Sequence, residues 1–81
     1  MTSTDTKITR YTDGDYLIDI VEKDTEFEAW LQHKDFGVSM LMFGVRKGCL
    51  QGVHLTPDIV AAMVECNLPE QKEIYANTYQ D

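Results

Sequence analysis

Tyr16 to Val21 reads as a strand, with Tyr16, Ile18 and Ile20 on the side facing a core and Asp19 marking the opposite side. A period of two is that of a half-buried strand. Ahead of it, Lys7-Ile8-Thr9-Arg10-Tyr11 has weaker strand character, and Thr12-Asp13-Gly14-Asp15 supplies an Asp-Gly hairpin turn between the two. After Lys23-Asp24-Thr25 the pattern reads as helical. Thr25 and Glu28 match a capping box, and Phe27, Trp30 and Leu31 fall at i, i+3 and i+4. This helix is expected to stop near His33 to Asp35, before Gly37.

Val38 to Val45 is apolar on both alternating sides, which predicts a central strand. Lys47-Gly48 offers a two-residue turn into Cys49 to Leu55, a register that would set Phe43 opposite Gly52 and Val45 opposite Leu50. Thr56-Pro57-Asp58 is a strong helix start: a cap, a proline at the first position and an acid at the positive end of the dipole. Ile59, Val60, Met63 and Val64 form the apolar stripe of that helix, and Asn67-Leu68-Pro69 breaks it. A last helix from about Pro69 to Tyr79 carries Ile74, Tyr75 and Tyr79 on one side.

The order predicted is β-β-α-β-β-α-α. It implies an α+β domain: a small, mostly antiparallel sheet of three or four strands with helices packed on one face. Residues 1–6 read as a flexible tail and 7–81 as a single domain. Eighty-one residues leave room for one modest core, and pairing of two copies into a homodimer is one way to enlarge it.

Charge narrows the partners. The net charge is −7, from 14 acids against 7 bases, and seven of the acids lie between Asp13 and Glu28, where Lys23 is the lone base. That sign disfavours direct contact with nucleic acid or with anionic membranes. The polar start Met1-Thr2-Ser3-Thr4-Asp5-Thr6 lacks the regions of a signal peptide, so the cytoplasm is the expected compartment.

Candidate chemistry fails on spacing. Cys49, His54 and Cys66 include no tight metal-ligand pair, and Cys49 and His54 would point to opposite sides of one strand. Asp13, Asp15 and Asp24 occupy three positions of a calcium loop, but Ile18 stands where that loop needs glycine. Gly44, Gly48 and Gly52 do not form a phosphate-cradling run. The expectation is a protein that is not an enzyme and holds no metal or cofactor.

What remains is a surface. Asp19, Glu22, Glu26 and Glu28, with Trp30 as an aromatic anchor, are the candidate partner-binding residues. The favoured function is a small accessory or regulatory protein acting through protein–protein contact. The alternative is an acidic mimic of nucleic acid that blocks a basic, nucleic-acid-binding protein.

The run Glu28-Ala29-Trp30-Leu31-Gln32-His33-Lys34-Asp35-Phe36-Gly37-Val38-Ser39-Met40-Leu41-Met42-Phe43-Gly44 resembles a segment in short uncharacterised proteins on mobile elements of Gram-positive bacteria. The resemblance covers about a quarter of the chain and implies a bacterial cytoplasmic protein with an accessory or host-defence-blocking role. It brings no functional residues with it.

Overall fold

The computed structural model describes residues 6–48 and 55–80. Strands β1 (Lys7–Asp13), β2 (Tyr16–Glu22), β3 (Glu26–His33) and β4 (Ser39–Arg46) form one antiparallel sheet in the order β1-β2-β3-β4. Helix α1 (Pro57–Tyr75) follows, extended by a π-helical turn over Ala76–Gln80. The α+β class and the helix on one sheet face agree with the sequence pattern.

The first hairpin forms as expected. Asp13 pairs with Tyr16, and Gly14 takes φ +63° at the first turn position, a conformation open to glycine and costly for residues with a Cβ. Ile18 and Ile20 are buried beneath α1, and Tyr16 is half-buried on the same side.

The expected helix over Thr25 to Asp35 is instead β3, an interior strand of the sheet. Two periods compete in this segment. Phe27, Trp30 and Leu31 fit a helix, but Phe27, Ala29 and Leu31 fit a strand, and these three are all fully buried. Long-range pairing on both edges of β3 outweighs the local capping box. Asp24-Thr25 forms a tight turn closed by the Lys23 N–H donating to the Glu26 carbonyl at 2.8 Å.

β4 is the last strand among the described residues, not a central one. Its apolar residues on both sides have a separate cause. Ala29 pairs with Phe43 and Trp30 with Leu41, so Met42 is an extra residue in a β-bulge. The bulge shifts the alternation by one: Met40, Met42, Phe43 and Val45 turn toward the core, and Ser39, Leu41, Gly44 and Arg46 are exposed. The partners of Phe43 and Val45 in the sheet are Ala29 and Phe27. The expected strand over Cys49 to Leu55, and its pairings through Leu50 and Gly52, lie outside the described residues except at Leu55. That residue is buried, and its N–H donates to the Lys47 carbonyl at 3.2 Å.

The two expected C-terminal helices are a single α-helix. The Thr56 hydroxyl accepts from the Ile59 N–H at 3.3 Å, capping it as the sequence indicates. Pro69 lies inside it, removing one backbone donor at a typical cost of about 3 kcal/mol. Burial of Val60, Val64 and Leu68 before the proline and Tyr75 beyond it keeps both halves on the sheet. Ile59 and Ile74, assigned to apolar stripes by spacing, are exposed, and so is Tyr79.

Tyr75 fastens the far end of α1. Its hydroxyl donates to the Val38 carbonyl at 2.6 Å and accepts from the His33 N–H at 3.2 Å. Tyr16 packs edge-on against both Tyr75 and His33. No described helix is long and apolar enough to cross a membrane.

Candidate functional site

Alternation assigns every strand residue to one of two sheet faces. The face under α1 holds the core. The other is covered by nothing among the described residues, and pairing across the strands arranges it in three rows, with Glu26 and Arg46 paired beyond the first. The first is Ile8, Val21, Glu28 and Gly44; the second is Arg10, Asp19, Trp30 and Leu41; the third is Thr12, Leu17, Gln32 and Ser39.

The apolar members of these rows stay in view of solvent. Ile8 is 62% exposed and Leu41 48%, while Leu17, Val21 and Trp30 are half-buried by their neighbours. The charged members are tied to one another. Arg10 grips Asp19 side-on through Nε at 2.7 Å and Nη2 at 3.0 Å, which raises the pKa of the guanidinium. Glu28 accepts from Lys23 Nζ at 2.9 Å and from the Trp30 indole Nε1 at 3.1 Å. The lysine bond is the main cause that holds the Glu28 carboxyl below its ordinary range, and the indole bond is the next. Lys23 is raised in return, and it also lies 3.9 Å from Glu26.

Of the candidate residues, Asp19, Glu26, Glu28 and Trp30 therefore share the open face, with Asp19 and Trp30 directly paired. Glu22 does not join them. It pairs with Phe27 on the helix side and accepts from Lys47 Nζ at 2.9 Å. The sequence reading missed Arg10 and Leu41. Arg10 directly faces Asp19 once the Asp-Gly hairpin sets the register, so the signal for it was present. Leu41 depends on the bulge, which no local pattern announces.

Within the Asp13–Glu28 stretch only Asp24, exposed in the turn before β3, has no ion pair among the described residues; the other acids without one lie elsewhere. Asp58, Glu65, Glu70 and Glu73 are exposed on α1, away from the Asp13–Glu28 stretch. A groove of about 260 Å³ runs between β1 and α1, lined by Asp13, Glu65, Leu68, Pro69 and Lys72. It falls below the usual volume range of small-molecule pockets, roughly 300 to 1,000 Å³. Close by, burial raises the pKa of Tyr11, with smaller effects from Glu65 and Asp13; its hydroxyl has no hydrogen-bond partner among the described residues. No group of three or more His, Cys, Asp or Glu that could hold a metal occurs among the described residues, and Cys66 is an exposed thiol on α1. Cys49 and His54 lie outside the described residues.

No family model, curated protein or solved structure matches this chain.

Proposed function

We propose that this chain is a non-enzymatic accessory or regulatory protein that acts through protein–protein contact, with the open sheet face as its docking surface. One observation carries this reading. The uncovered face presents Ile8, Leu17, Val21, Trp30 and Leu41 between charges that are already paired within the chain. Apolar contact area interleaved with charge that is cancelled locally, as by Arg10 and Asp19 in the middle row, suits a protein interface. The partner is a protein whose contact surface is largely apolar.

The acidic-mimic alternative rests on different residues from those the sequence suggests. Asp19 and Glu28 are held by Arg10 and Lys23, so the carboxylates open to a basic protein are Asp24 and those of α1. Capture of partners by the tagged chain from a Gram-positive bacterial lysate, at low and raised salt, separates the two. A partner retained at raised salt supports docking on the open face. A basic, nucleic-acid-binding partner lost at raised salt supports the mimic.

A further inference from the structure

Strand β1 ends the sheet, and nothing among the described residues pairs with its outer edge. Such an edge is a template for another strand unless it is short, kinked, interrupted or guarded by charge, and the charges of β1 are Lys7, Arg10 and Asp13. β1 runs seven residues in unbroken register with β2, without proline or bulge.

The hairpin fixes which backbone groups point outward. In a two-residue turn the flanking pair, Asp13 with Tyr16, is hydrogen-bonded, and hydrogen-bonded pairs then recur at every second residue. Asp13, Tyr11, Thr9 and Lys7 are thus spent on β2. Ile8, Arg10 and Thr12 turn their N–H and C=O groups to the free edge.

We propose that a second copy of this chain pairs antiparallel on β1, with the two-fold axis at Arg10. The choice of register follows from parity and charge. Outward groups can meet only outward groups, which restricts pairing to registers that match even-numbered with even-numbered residues. Among these, centring on Arg10 uses the whole strand: Ile8 faces Thr12 of the other copy, and Thr9 faces Tyr11. It also sets Lys7 against Asp13 at both ends, in close pairs that are not hydrogen-bonded. Asp13 lies 3.5 Å from Lys72 of its own chain, and a carboxylate can accept from both lysines.

The two central arginines arrive neutralised. Each is held by its own Asp19, so the row across the axis runs Asp19, Arg10, Arg10, Asp19. The exposed Ile8 gains a neighbour, and the two open faces merge into one. This dimer deepens the docking proposal and rests on it: pairing doubles the surface offered to a partner.

The test uses the full chain in reductant, so that cysteines cannot link copies. Sedimentation across micromolar to millimolar concentration should show a monomer–dimer equilibrium. Amide exchange followed by NMR should show Ile8, Arg10 and Thr12 slowing as the dimer forms, while Thr9 and Tyr11 are slow throughout. Lys7→Asp or Asp13→Lys alone should weaken association at least about tenfold, and the double swap should restore it. A monomer at all concentrations, or a dimer in which Ile8, Arg10 and Thr12 exchange as fast as in the monomer, overturns the proposal. Neither result touches partner docking, which is read separately through Leu41.

Discussion

The two faces of this sheet come from the same four strands yet obey different rules. Beneath α1, β3 contributes Phe27, Ala29 and Leu31, all fully buried. On the other side the same strand contributes Glu28 and Trp30, bonded to each other and half-exposed. The covered face is selected for volume. The open face combines apolar contact area with charges that cancel locally, a pattern that folding alone does not require. A domain needs one packed face to be stable; a second semi-apolar face carries a solubility risk that a partner would relieve.

Core truncation should have the largest effect on that contrast. Phe27→Ala should cost about 3–5 kcal/mol in urea unfolding, against less than about 0.5 kcal/mol for Leu41→Ser on the same sheet. Comparable losses would mean that the open face is part of the core. Tyr75→Phe comes next. It strands the Val38 carbonyl and the His33 N–H, and should cost about 1–3 kcal/mol in the same assay.

Tyr11→Phe should move the other way. It removes a buried hydroxyl without a hydrogen-bond partner among the described residues, so stability should hold or rise by up to about 1 kcal/mol. The raised Tyr11 pKa has a sign that can be checked. Folding favours the neutral phenol, so its contribution is complete below the ordinary value of 10.0 and is lost as pH climbs past it. The variant should lose that part of the alkaline destabilisation.

The smallest effect is at Glu28. Its folded pKa is depressed, so its contribution is present above the ordinary value of 4.5 and is lost as pH falls below it. Glu28→Gln should lower the melting temperature slightly near neutrality, where the bond to Lys23 is intact, and should match the parent once the pH falls below that acid range, so that its profile is flatter.

The first hairpin, the cap at Thr56 and the start of α1 were legible because each depends on residues within a few positions: Gly14, Thr56 and Pro57. β3 was not. Its capping box and helical spacing are real local preferences, and only pairing with β2 and β4 decides against them. Pro69 misled in the same way, because packing of Leu68 and Tyr75 carries α1 past a residue that usually ends a helix. At the candidate site, the acids were visible as a run in the sequence. Their pairing with Arg10 and Lys23, and the placement of Glu22 on the other face, required the register.

The most direct test of the docking face compares two folded variants for retention of the captured partner. Leu41→Glu places a charge beside Trp30 on the open face; the combined Glu65→Lys, Glu70→Lys and Glu73→Lys change reverses the surface of α1. With both confirmed as folded by their melting curves, loss of the partner with Leu41→Glu alone is the predicted result. Loss with the helix variant alone would contradict the docking face and move the contact to α1.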